Sequence, residues 1–163
     1  MDYSDFLNSK IDYGANSGFE PTFMPPFLFD FQVSLTDWAV RKGRAAIFAD
    51  CGLGKTPMQL VWSQNIIERT NKPVLILTPL SVSVQTLHEA EKFGIEAHRA
   101  TPGHIATTIQ GTNYEQLHKF NAYDFGGVVC DESSILKNFD GVYKSEITEF
   151  MRVVPYRLRA TVS

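Results

Sequence analysis

The sequence is short of several features that would commit it to a compartment or a scaffold. No stretch approaches the roughly 18 consecutive apolar residues of a bilayer span. The start, MDYSDFLNSK, has neither the basic opening nor the apolar core of a secretory leader. No membrane partner is expected, and the expected location is the cytoplasm. Cysteine is scarce: Cys51 and Cys130 make no disulfide framework and sit at no metal-ligand spacing, and His88, His98, His104 and His118 are scattered without a zinc pattern. Positive charge is not in excess, with 15 Lys and Arg against 18 Asp and Glu, a net charge of −3. That excludes indiscriminate, charge-driven nucleic-acid binding but leaves room for a local basic patch. Arg152, Arg157 and Arg159 cluster near the C-terminal end, where a solvated edge is the plainer reading. Internal repeats and low-complexity segments are missing as well.

What is present is an alternation of two kinds of segment. Residues 1–26 hold Gly14, Gly18, Pro21, Pro25 and Pro26 with little periodicity, and read as an irregular arm. Phe31, Leu35, Trp38 and Ala39 then mark one face of a helix that ends at Gly43. AAIF (45–48) suits a buried parallel strand, and TPMQLVWSQNIIERT (56–70) a helix with Pro57 in its tolerant first turn. PVLILTP (73–79) reads as a strand; the next helix opens with Ser81 or Ser83 as N-cap and stops at Gly94. IEAHRA (95–100) and HIATTI (104–109) are candidate strands, and NYEQLHKF (113–120) is a short helix. GGVVCDE (126–132) is a buried strand, followed by a helix over about 141–153 and a final strand at RLRAT (157–161). Strands alternating with helices predict an α/β domain, three layers with a mainly parallel central sheet.

Two segments carry chemistry. ADCGLGKT (49–56) lies between a strand and a helix, where converging backbone N–H groups and a helix N-terminus grip phosphate. Gly52 and Gly54, with the intervening Cys51 and Leu53, would supply the curled backbone. Lys55 would reach the β- and γ-phosphates, and the Thr56 hydroxyl would hold Mg²⁺. The pattern G-x-x-x-x-G-K-[ST] is met except at its first position, Ala49. VVCDESS (128–134) places Asp131 and Glu132 at the end of an apolar strand. In a parallel sheet that end lies on the side of the phosphate loop, so Asp131 is the metal-side carboxylate and Glu132 the base for an attacking water. The plainer alternatives are a glycine-rich turn and a strand ending in solvated acids.

Together these motifs resemble superfamily-two helicases and translocases, especially the Swi/Snf-like and the phage or prophage DEAD/DEAH-type proteins, over roughly residues 27–162. That family often writes alanine at the position of Ala49. The resemblance implies a first RecA-like, P-loop NTPase lobe over 27–163 that binds ATP or ADP with Mg²⁺. It makes LFDFQ (28–32) the adenine-recognising segment, with Gln32 on the base edge and Phe29 or Phe31 stacking. It places Thr78, Pro79 and Gln85, then Thr112, Asn113 and Tyr114 of GTNYEQL, near a nucleic-acid backbone, DNA in preference to RNA, with Lys137 a further contact. Structural capping is the alternative for those segments. DESS departs from the D-E-x-H and D-E-A-D spellings at Ser134, and YRLRATVS resembles motif III without its proline.

The second lobe and its arginine finger find no counterpart in the sequence, so the expectation is Mg-nucleotide binding with weak hydrolysis and no unwinding by this chain alone. A second reading, from another class, is a helicase-like interaction protein that docks on a protein partner as a decoy or inhibitor. A third is an unrelated P-loop enzyme such as a small kinase. Phage encoding would make the location a host-cell cytoplasm.

Overall fold

The computed structural model describes residues 17–48 and 54–161. Six strands, β1 (Arg44–Phe48), β2 (Val74–Thr78), β3 (Ala97–Arg99), β4 (Ile109–Asn113), β5 (Gly127–Asp131) and β6 (Tyr156–Thr161), form one sheet. Their order is β1-β6-β5-β2-β4-β3, and every pairing is parallel. Among the described residues four α-helices flank it: α1 (Asp30–Lys42), α2 (Lys55–Thr70), α3 (Ser83–Lys92) and α4 (Gly141–Val153). This is the expected α/β domain, and the sheet is parallel throughout.

The central strands explain why the sheet is covered twice. All five residues of β2 and all five of β5 are buried, as continuous apolar runs between two helical layers must be. On one face Ile47, Val74, Ile76, Val129 and Leu158 pack with Val40 of α1 and with Leu60, Trp62 and Ile66 of α2. On the other, Leu75, Leu77, Val128 and Cys130 pack with Ile147, Phe150 and Met151 of α4. The Cys130 thiol is fully enclosed, and burial pushes its pKa up to about 12, so it stays neutral. Among the described residues, no helix is long and apolar enough to cross a membrane.

The expected α1 face is off by one residue. The buried positions are Gln32, Thr36, Ala39 and Val40, while Phe31 and Trp38 are each more than two-fifths exposed. The same i, i+4, i+7, i+8 spacing holds, but the stripe turned inward carries Gln32, Thr36 and Ala39 in place of Phe31, Leu35 and Trp38. Gln32 is drawn inside by hydrogen bonds described below. Two other expectations shift. The strand expected at 104–109 begins only at Ile109 and runs to Asn113, because Val74–Thr78 pairs with 109–113 in register. Helix α3 has Val82 at its N-cap position with no side-chain cap, and Ser83 is its first helical residue. The Ser83 hydroxyl lies 3.0 Å from that of Thr78 instead.

The described part of the N-terminal arm forms no helix or strand, yet it is anchored. Asn65, buried on α2, accepts from the backbone N–H groups of Thr22 and Phe23 at 2.9 Å and donates to the Phe23 carbonyl at 2.8 Å. Phe19, Phe23, Met24 and Phe27 lie against the core. At Gly18 the chain passes so close to α1 that a Cβ would fall 1.9 Å from the Val40 carbonyl oxygen.

Candidate functional site

The parallel sheet sends the C-terminal ends of β2, β4 and β5 to one side, and the heads of α1 and α2 lie there too. Gly54 precedes α2 in the left-handed region, φ 73°, which favours glycine. A Cβ at this position would lie 2.1 Å from the Gln32 side-chain nitrogen, so the backbone approaches Gln32 as only glycine allows. Gln32, third residue of α1, accepts from the Phe29 N–H at 2.8 Å and donates to the Gly54 carbonyl at 3.1 Å. It thus caps its own helix and ties it to the end of the glycine-rich loop.

Lys55, the first residue of α2, reaches across to the end of β5. Its Nζ is 3.1 Å from Asp131 Oδ1 and bonds Glu132 Oε1 at close range. Burial pulls the ammonium pKa down, but the hydrogen bond to Glu132 and the charge of Asp131 outweigh it, so Lys55 is held above its ordinary value and stays charged. Glu132 takes a left-handed backbone, φ 52°, where the chain leaves the strand for a 3₁₀ turn over 133–138. A non-glycine residue there carries strain of about 1–3 kcal/mol, and the conformation presents the Glu132 carboxylate to Lys55.

Two residues that the sequence did not connect with Asp131 hold it. Gln59, one turn into α2 and fully buried, donates to Asp131 Oδ1 at 2.8 Å. Its own Oε1 has no hydrogen-bond partner among the described residues. Lys55 and Gln59 therefore both act on Oδ1, and Oδ2 takes part in neither contact. Tyr114, expected on a nucleic-acid path, is fully buried, and its hydroxyl donates to the Asp131 carbonyl at 2.6 Å. Burial holds the phenol well above its usual pKa, so it remains a donor. Its place is beneath the site and not on the surface. No periodicity marks a mid-helix glutamine as a carboxylate's partner; Lys55 to Gln59, one turn apart, was the available hint.

Around these groups lies a cavity of about 690 Å³, within the range of small-molecule sites. Its walls bring together the sequence-selected Phe29, Phe31, Gln32, Gly54, Lys55, Thr56, Gln85, Asp131 and Glu132, with Thr86, Glu89, Lys92 and Phe93 of α3 and its C-cap added. Phe29 is 69% exposed and stacks on Phe31, their ring centroids 6.3 Å apart, at the cavity mouth. Cys51, Gly52 and Leu53 lie outside the described residues. Of the other nucleic-acid candidates, Thr78, Thr112 and Asn113 are buried at their strand ends, Pro79 is half-buried and Lys137 exposed.

The described residues contain no cluster of three or more His, Cys, Asp or Glu side chains suited to hold a metal ion. Among the oxygen donors that line the cavity, the Asp131 carboxylate and the Thr56 hydroxyl stand at the end of β5 and the head of α2. Few, hard oxygen donors fit Mg²⁺, which keeps waters and takes phosphate oxygens from its substrate.

Solved structures share this architecture. The UvsW helicase from bacteriophage T4 superposes with a TM-score of 0.70 at 13% identity, over 100% of this chain and 61% of that one. A second T4 UvsW structure gives a TM-score of 0.68 at 12% identity, over 100% of this chain and 35% of the other. The Sulfolobus solfataricus SWI2/SNF2 ATPase core, solved in complex with dsDNA, gives 0.69 at 21% identity, over 89% of this chain and 34% of that one. This chain therefore spans between about a third and three-fifths of the proteins it superposes on. No protein-family profile and no curated protein sequence matches it. What this chain shares with them is the fold, a RecA-like α/β domain.

Proposed function

We propose that this chain is the nucleotide-binding lobe of a helicase-like, DNA-directed ATPase, and that its cavity takes Mg-ATP or Mg-ADP. One observation carries the reading. The lysine that ends the glycine-rich loop and the acidic pair that ends β5, 77 residues apart in sequence, meet at one cavity of nucleotide size. In the proposed complex Lys55 turns from the carboxylates to the phosphates, and the helix N-terminus behind it adds its positive end. Thr56 and Asp131 would hold Mg²⁺, which would neutralise negative charge on the phosphates. Gln59 and Tyr114 keep Asp131 in place while Lys55 changes partner. Glu132 then faces the region where a water would approach, as its base. Phe29 and Phe31 offer flat, exposed rings for the adenine, with Gln32 behind them. DNA, in the proposed assembly, follows the strand-end surface by Pro79, Gln85 and Lys137.

Hydrolysis by the 163 residues alone should be slow. No arginine lines the cavity among the described residues, and a finger of that kind is worth about 10³–10⁵ in rate. Calorimetric titration of the chain with ADP and with a non-hydrolysable ATP analogue, in Mg²⁺ and in EDTA, tests the proposal. Saturable one-to-one binding that weakens at least about tenfold in EDTA, or 1.4 kcal/mol, is expected. No heat above dilution with either nucleotide would defeat it.

A further inference from the structure

The arginines near the C-terminal end, set aside in the sequence as a solvated edge, form a site. In the register of β1 and β6, Arg44 stands beside Arg157 and Ala46 beside Arg159. Side chains alternate along a strand, so Arg44, Ala46 and Phe48 share a sheet face with Arg157, Arg159 and Thr161. That face is the one α4 covers farther in, over Val128 and Cys130, which stand beside Arg157 and Arg159 in the next strand. Over β1 and β6 the same face carries arginines where a covered strand would carry apolar side chains.

Lys42, Arg44, Arg157 and Arg159 line an open groove of about 450 Å³ floored by Ala45 and Ala46. No carboxylate lines it, and none of the four cations makes an ion pair among the described residues. Among the described residues, Arg44 and Arg157 are steadied by backbone carbonyls alone, those of Pro155 and Met151. Burial, then the charges of Arg44 and Arg159, hold the Arg157 guanidinium below its ordinary value, a sign that the cations repel one another. A protein of net charge −3 thus gathers three arginines on one stretch of sheet, with Lys42 at the end of α1 beside them, and among the described residues no carboxylate pairs with any of the four. At the far end of β1, on the same face, Phe48 is 67% exposed. It stands about 13 Å from Arg44, four residues at the strand rise.

We propose that this groove binds single-stranded nucleic acid, its phosphates on Lys42, Arg44, Arg157 and Arg159 and a base on the Phe48 ring. A cationic track with an aromatic platform beside it is the chemistry of single-strand binding. An acidic protein segment would satisfy the cations but leave the exposed ring unused. The groove is separate from the nucleotide cavity, with no lining residue in common. The inference therefore stands or falls without the nucleotide reading.

The test uses the full chain without nucleotide and a labelled oligothymidylate of about 15 nucleotides, by fluorescence anisotropy, at several salt concentrations. Arg44→Glu/Arg159→Glu is expected to weaken binding at least about tenfold at low salt. It should also flatten the slope of log K against log salt by about 1.4, two contacts at about 0.7 each. Phe48→Ala should weaken binding and leave the slope unchanged. Lys119→Glu/Lys144→Glu, the same change in net charge on exposed residues elsewhere, should leave at least half the affinity. If the glutamate pair loses its circular-dichroism melt, Arg44→Gln/Arg159→Gln takes its place with the same expected slope change. No oligothymidylate binding, an equal loss in the lysine pair, or preference for a duplex of the same length unaffected by the arginine changes would overturn the proposal. So would sedimentation showing that the wild-type chain self-associates and that the arginine changes abolish this, since the groove would then be an interface between copies.

Discussion

Replacing Lys55 by alanine is expected to remove Mg-nucleotide binding almost entirely. Truncating one partner of a desolvated, hydrogen-bonded charge pair costs about 2–5 kcal/mol, roughly 30- to 4000-fold in affinity. Lys55 is the basic group that stands between the cavity and two carboxylates, Asp131 and Glu132. Without it the phosphates lose a cation and meet the negative charge of both acids. The same change acts on the free protein. Asp131 is only 4% exposed at its side chain and would keep Gln59 as its remaining side-chain partner. Glu132 is 27% exposed and solvates more easily, so the loss of stability is modest, about 1–2 kcal/mol. Lys55→Ala combined with Glu132→Gln separates the two effects. By removing the repulsion between Glu132 and Asp131, the double variant should recover part of the stability by thermal melt but none of the nucleotide affinity by titration. Recovery of affinity would mean that repulsion by the acids, and not loss of the lysine, caused the defect.

Trp62→Ala should have the largest effect on folding, about 3–5 kcal/mol. Trp62 is fully buried at the centre of α2. Its indole N–H donates to the Ala39 carbonyl of α1 at 3.3 Å, and its ring edge lies 3.3 Å from where a Cβ on Gly127 of β5 would stand. One side chain therefore spaces α1, α2 and the central sheet, and no neighbour can fill the void. In a domain of this size each kcal/mol moves the melting temperature by about 2–4 °C, so the midpoint should fall by roughly 6–20 °C. Because α1 and α2 carry Gln32 and Lys55, nucleotide affinity should weaken alongside. Trp62→Phe, which keeps most of the volume, should lose only about 1 kcal/mol. A melt unchanged in Trp62→Ala would show that α1 and α2 do not share this contact.

The frame of the domain was legible because it is written in apolar runs. Continuous stretches such as VLILT and GVVCD can only be doubly covered parallel strands, and their ends place the acidic pair on the side of the loop before α2. The finer structure was less legible wherever polar groups are buried. The inward stripe of α1 carries Gln32 and Thr36, so ranking residues by hydrophobicity selected Phe31 and Trp38, one position away. Tyr114 reads from sequence as a surface hydroxyl because its role, holding the Asp131 backbone from below, depends on β4 and β5 both flanking β2. Gln59 sits in an ordinary helical run, and only three-dimensional proximity to Asp131 distinguishes it. The arginines of β1 and β6 are likewise 113 residues apart between Arg44 and Arg157, and the strand register alone brings them together.

Whether the cavity between α1, α2 and the end of β5 takes a magnesium-bound nucleotide is decided by a crystal structure of the chain grown with ADP and Mg²⁺. The diphosphate is expected at the head of α2, with Lys55 moved from Glu132 to the β-phosphate. Mg²⁺ is expected beside Thr56 and Asp131, the adenine against Phe29 or Phe31, and Gln59 still bonded to Asp131. Nucleotide bound elsewhere on the sheet, or a cavity that stays unfilled at saturating ADP while Lys55 remains on the two carboxylates, would contradict the proposed nucleotide site.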